Sequence, residues 1–246
     1  MGDTNDLSLK PLSLDTDPEH LSDDPKWTSG DFTLVSADGV RFRVQSCFIL
    51  AASAVFRNAG DLSGGSEKVV RFSDSRCETA STLRDFLALA TTAQLEPQWP
   101  TYGLVELCEH ISAVVDFMRK YECDGVLRSL LLAFHYDLLL DGGRDYALEA
   151  LVLGAVADDV DYCKKAIRAS RWKEGSAVND AKTDPLTESR RGCFPLVPSN
   201  MPLQVYELLP TGYAWALSRS WAVARENTLA WPHHFGSMVD ISKSGR

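Results

Sequence analysis

The sequence predicts a mixed α/β (α+β) fold, a small sheet with a cluster of helices, followed by an all-helical extension. Three observations carry this reading. Asp38-Gly39, the strongest short-range hairpin signal, lies between two stretches in which apolar and polar residues alternate. Past the second stretch the apolar period lengthens from two residues to three or four. From residue 104 onward that helical period recurs in segment after segment.

Taken in order, residues 1–30 contain Pro11, Pro18 and Pro25 and no apolar period, and they hold seven acids against two lysines in a chain of formal charge −9. Such a composition buries too little apolar surface to offset the entropy of ordering, so a disordered acidic arm is expected over 1–26. In the hairpin, Phe32 and Leu34 before the turn and Val40, Phe42 and Val44 after it mark half-buried strands. Ser46 then caps a helix whose inner stripe is Ile49, Ala52 or Ser53, and Phe56. Phe48, Ala51 and Val55 make a second apolar stripe, with Leu50 and Ala54 beside it. A short helix that is apolar on two faces has one face more than its own core uses. Either later helices cover it or it meets a partner chain, and in the second case Phe48, Leu50, Ala51, Ala54 and Val55 are the candidate interface.

Beyond this point a Gly/Ser loop at 60–66 leads to a short strand at 68–72, and Asp74 or Ser75 caps a helix over 78–90. Pro97 and Pro100 make 94–102 irregular around Trp99. Leu104, Leu107, Ile111, Val114, Val115 and Met118 mark a long helix ending near Tyr121, and another runs from Gly125 to Phe134. The break Asp141-Gly142-Gly143 separates a first domain, 27–140, from the extension, 141–230. The extension opens with helices at 146–156 and, capped by Asp158 or Asp159, through Val160, Cys163, Ile167 and Trp172. The Gly/Ser/Pro-rich stretch 173–200 reads as a mobile loop. Pro202 and Pro210 suit the first turns of the last helices, in which Trp221 is the expected core anchor. A flexible tail is expected over 231–246.

At these spacings the run Asp31, Leu34, Asp38, Gly39, Phe42, Val44, Ile49, Ala51, Ser53 and Phe56 resembles the opening of a BTB/POZ domain. Met118-Arg119-Lys120-Tyr121 followed by Gly125-Val126-Leu127 is similar to that family's closing motif. The resemblance covers about 31–134 and, with the helical extension, looks like the fungal members. It implies a homodimer and, in many members, recruitment of a cullin scaffold to a ubiquitin ligase or scaffolding of transcription factors. There are departures. Gln45 and Ser46 stand where the family has His and a basic residue, and Thr91-Thr92-Ala93-Gln94 replaces its Y-T-G turn. Gln94 also stands at the hydrophobic place two residues before Glu96 in the cullin-contact pattern. No zinc finger or kelch-type repeat follows.

Of catalytic chemistry the sequence shows little. The common phosphate, dinucleotide, hydrolase and zinc-protease motifs do not occur, so no catalytic or cofactor-binding residue is assigned. Cys108 and His110, two apart on a helix, diverge rather than pair. His233-His234 and Asp158-Asp159-Val160-Asp161 lack the further ligands that a metal site needs, and no metal is expected. The six cysteines show no C-x-x-C pair and read as free thiols, most of them buried. No run approaches the roughly 20 apolar residues of a membrane helix, and residues 1–10 carry no apolar leader. The chain is therefore expected inside the cell, cytoplasmic and/or nuclear, with no membrane contact, and its acidity counts against direct nucleic-acid binding. The expected function is a non-catalytic protein–protein interaction module that self-associates and recruits partners. The rival is an enzyme with an unfamiliar site in the cleft between domain and extension, which would need ionisable groups of perturbed titration lining a pocket.

Overall fold

The computed structural model describes residues 21–62, 68–136, 146–170, 196–224 and 228–244. The expectations for 1–20, for residues 63–66 of the loop at 60–66, the break at 141–143, Trp172, Cys193 and most of the 173–200 loop fall outside the described residues.

Four strands, β1 (Ser22–Thr28), β2 (Phe32–Val35), β3 (Val40–Val44) and β4 (Lys68–Arg71), form one sheet in the order β1-β3-β2-β4. The expected hairpin is β2 and β3, antiparallel, with Phe32 opposite Val44 and Leu34 opposite Phe42, all four buried. Its turn places Gly39 at φ 82, a conformation glycine adopts without cost. The turn also docks inward: Ala80 N donates to Asp38 Oδ1 (2.9 Å) and Ala37 N donates to the Glu78 carbonyl (2.9 Å).

The acidic arm ends earlier than expected. β1 runs parallel to β3, and Asp24 within it is 1% exposed. That carboxylate accepts from the backbone amides of Lys26 (2.9 Å) and Trp27 (3.2 Å) and from Arg84 Nε (2.6 Å). An edge strand is held by its neighbour's backbone groups, which need no apolar period, and so composition hid it. The return from β1 to β2 passes over the end of β3 through Gly30, φ +152, where a Cβ would meet the Val44 backbone. Only glycine fits there.

Ten helices accompany the sheet among the described residues: α1 (Ser46–Ala52), α2 (Ala54–Leu62), α3 (Ala80–Thr92), α4 (Leu104–Lys120), α5 (Asp124–Phe134), α6 (Ala147–Val156), α7 (Val160–Ala169), α8 (Leu203–Leu208), α9 (Thr211–Ala224) and α10 (Trp231–Ser244). Several expected boundaries shift for local reasons. The single helix after the hairpin is two, because Ser53 is extended (φ −137, ψ 129). α2 also continues past Gly60, where a loop was expected to begin. The cap of α3 is Thr79, whose side chain accepts from Thr82 N, rather than Asp74 or Ser75. Asp159 caps α7 as expected, accepting from Tyr162 N (2.8 Å).

The C-terminal expectations change most. Residues 231–244 are a helix, not a tail, with Trp231, Phe235 and Val239 buried four residues apart. Trp231 is the anchor, while Trp221 is half-buried against it at a ring separation of 4.8 Å. Leu196, at the end of the supposed loop, is fully buried. The border near 140 is no border in the core: all ten residues of α6 are buried, and one apolar cluster runs from the sheet through α4 and α6 to α10. A helix apolar on every side must lie inside, and this one packs on α4, α5 and α7.

Candidate functional site

The face singled out by the sequence is built at the end of β3. Asp31 rather than Ser46 caps α1: Ser46 N and Ser46 Oγ each donate to its carboxylate at 2.7 Å. That fixes Ile49 inward, with no exposure, and turns Cys47, Phe48 and Ala51 outward. Phe48 is 41% exposed.

The five candidate residues do not form one continuous stripe. Leu50 in α1 is half-buried, and Ser53 resets the helical phase so that Ala54 and Val55 in α2 are half-buried as well, leaving Phe48 and Ala51 as the outer face. Ser53 is itself a hub: its hydroxyl donates to the Tyr121 carbonyl (2.5 Å) and accepts from Phe56 N (3.1 Å), capping α2 from within. α1 lies against α3 and α5, whereas α6 packs on α4 and α5, and α10 on α7 and α9. Among the described residues, Phe48 is thus left partly open rather than fully buried under the later helices, one of the two alternatives for this face.

The residues of the two family-specific patterns are also placed. Gln45 is exposed at the start of α1. Gln94 is exposed, and the Glu96 side chain, 11% exposed, turns back to Lys26 Nζ at 2.7 Å.

Two buried polar networks were not legible from the sequence. Asp85, 1% exposed, accepts from Trp99 Nε1 (2.7 Å) and pairs with His110 Nε2. Cys108 is fully buried two residues from His110, and the imidazole belongs to Asp85 and the rings of Trp99 and Tyr102. The second network centres on Glu78, 2% exposed, which accepts from Lys120 Nζ (2.7 Å), Tyr121 OH (2.5 Å) and the amides of Ser73 (2.7 Å) and Asp74 (2.6 Å). Burial pushes its carboxyl up, but those donors outweigh burial and hold it below the ordinary 4.5. Burial and the same carboxylate push the Tyr121 phenol up. For Asp85 a charged residue sits among apolar positions of α3, the one sequence signal that was there to find.

Two clefts flank Asp158, which has φ 56 and lies between α6 and α7. One, about 520 Å³, opens between α5, the start of α7 and α10, and is lined by Asp124, Arg128, Asp159, Asp161, Lys164 and Asp240 besides Asp158. The other, about 370 Å³, lies at the ends of α4, α9 and α10. Asp158 accepts from Tyr213 OH (2.8 Å) and Lys243 Nζ (2.7 Å). Burial pushes Asp158 up, and Lys243 and Tyr213 bring it net below its ordinary value; Lys164 does the same for Asp161. Both carboxylates are held ionised by structural ion pairs. His233 and His234 lie on the α10 surface, and among the described residues no group of three or more His, Cys, Asp or Glu is placed to hold a metal.

Comparison with family models, with curated proteins and with solved structures finds no match for this chain. Among the described residues no helix is long and apolar enough to cross a membrane.

Proposed function

We propose that the chain is a non-catalytic protein–protein interaction module of BTB/POZ type that self-associates through the outer face of α1 and recruits partner proteins. The observation that carries this is Phe48: a large apolar side chain, 41% exposed, on a helix whose opposite face buries Ile49 completely. Ala51 is exposed one turn further along, and among the described residues the elements that lie chiefly against α1 are α2, α3 and α5, none of them in the extension. Desolvating such a face costs little and gains the hydrophobic term, which favours a two-fold interface made from the same patch on each copy. The hairpin, the Asp31 cap and the docking of Phe56 also agree with the resemblance. A role as a cullin-type ubiquitin-ligase adaptor rests on the resemblance alone, and Glu96, tied to Lys26, is the residue it would engage. The proposal places the chain inside the cell, in keeping with Cys47, Cys77, Cys108, Cys123 and Cys163, which form no disulfide.

Sedimentation of the full chain tests the reading. The wild type is expected to be a dimer at micromolar concentration, and Phe48→Asp with Ala51→Asp to be a folded monomer, because like charges then oppose each other across the axis while Ile49 and Phe56 stay packed. A wild type that is monomeric at ~100 μM, about a hundredfold above a ~1 μM dissociation constant, would remove self-association from the proposal.

A further inference from the structure

We propose that the smaller Asp158 cleft binds a small ligand carrying a phosphate group. The cleft is lined by Arg119 from the last turn of α4, by Ala155 and Asp158, by Pro210, Gly212 and Tyr213 at the start of α9, and by Ser242 and Lys243 at the end of α10. The chain carries −9 overall, yet here two cations face one carboxylate. That carboxylate is already held by Tyr213 OH at 2.8 Å and Lys243 Nζ at 2.7 Å. The Arg119 guanidinium has no hydrogen bond or ion pair among the described residues, although it is near enough to Asp158 to help hold its pKa down.

An unpaired guanidinium at the wall of a concave site presents a planar fork of donors that matches a phosphate, and a dianion also draws on the second cation. The first amides of α9 add partial positive charge on the same side, supporting the site without carrying it. Asp158 lies in the left-handed region, at φ 56, and its carboxylate is held by Tyr213 and Lys243 rather than by Arg119. At about 370 Å³ the cleft has room for a phosphate and a few further atoms, so a small metabolite fits better than a polymer backbone.

The test is titration calorimetry on the full chain at low ionic strength, with inorganic phosphate as the probe and acetate as the monoanionic comparison. Saturable one-site binding of phosphate is expected, weaker binding of acetate, and a loss of roughly tenfold or more in Arg119→Gln, the size of one charge-assisted bidentate contact. Arg128→Gln, in the neighbouring cleft, is expected to leave binding unchanged. If Arg119→Gln does not fold, Arg119→Lys keeps the charge but loses the fork and is expected to weaken binding several-fold. No saturation with phosphate, acetate bound as tightly, or an equal loss in Arg128→Gln would each overturn the proposal. Dimerisation plays no part in this readout.

Discussion

Phe56 shows how much can rest on one side chain. It is 2% exposed and stacks on Tyr121 at a centroid separation of 4.8 Å, with Phe72 and Phe86 edge-on or tilted at 6.2 and 6.4 Å. This cluster joins α2, the residue just past β4, α3 and the C-terminal cap of α4 around one point. Removing the ring would leave a cavity whose walls belong to four elements, and they cannot all close on it. Phe56→Ala is therefore expected to cost about 3 to 5 kcal/mol, read as a shift in the urea midpoint at constant slope. A change of surface size, under about 1 kcal/mol, would place the ring outside the core.

At the scale of elements, β1 is the informative case. It has one buried carboxylate, Asp24, and one exposed pair, Asp23 with Arg41. Asp24→Ala removes the acceptor of two backbone amides and the partner of Arg84, whose side chain at 37% exposure can turn to water. The expected destabilisation is about 1 to 3 kcal/mol, chiefly from part-buried donors left unpaired. Asp23→Ala, at the surface, is expected to change little. Thermal unfolding of the two variants side by side checks whether β1 belongs to the folded unit; equal, small effects would return residues 22–26 to the arm.

Across the whole molecule, two lowered carboxylates, Glu78 and Asp158, tie distant parts of the chain to pH. Glu78 joins the segment before α3 to the end of α4, and Asp158 joins the α6–α7 turn to α9 and α10. Both fold with values below the ordinary 4.5 and 3.8. The folded state thus binds fewer protons than the unfolded state in that range, so their contribution is complete above 4.5 and is lost as pH falls through the folded values. Urea midpoints measured from about pH 6 down to about pH 3 are expected to fall, with a shallower fall in Glu78→Gln. An unchanged slope in that variant would show that Glu78 is not linked to folding.

By itself the sequence determined those elements whose signals are local. The hairpin follows from a Gly-permitted turn between alternating strands, Ile49 and Phe56 point inward from their spacing, and Asp159 caps its helix from three residues away. Whether Phe48 is covered was left open by the sequence, and its 41% exposure is read from the tertiary structure. What only the tertiary structure decided depends on partners far along the chain. Ser53 breaks a helix because its hydroxyl is claimed by Tyr121, Asp24 orders β1 through Arg84, and Asp85 is tolerated among apolar neighbours because Trp99 and His110 reach it. The last helix, α10, looked like a fraying end because Gly236 and two histidines weaken its propensity; α7 and α9 supply the surface that Trp231, Phe235 and Val239 bury. Propensity is worth tenths of a kcal/mol per residue and burial of one such ring several times that, and so packing outweighed the local signal wherever the two disagreed.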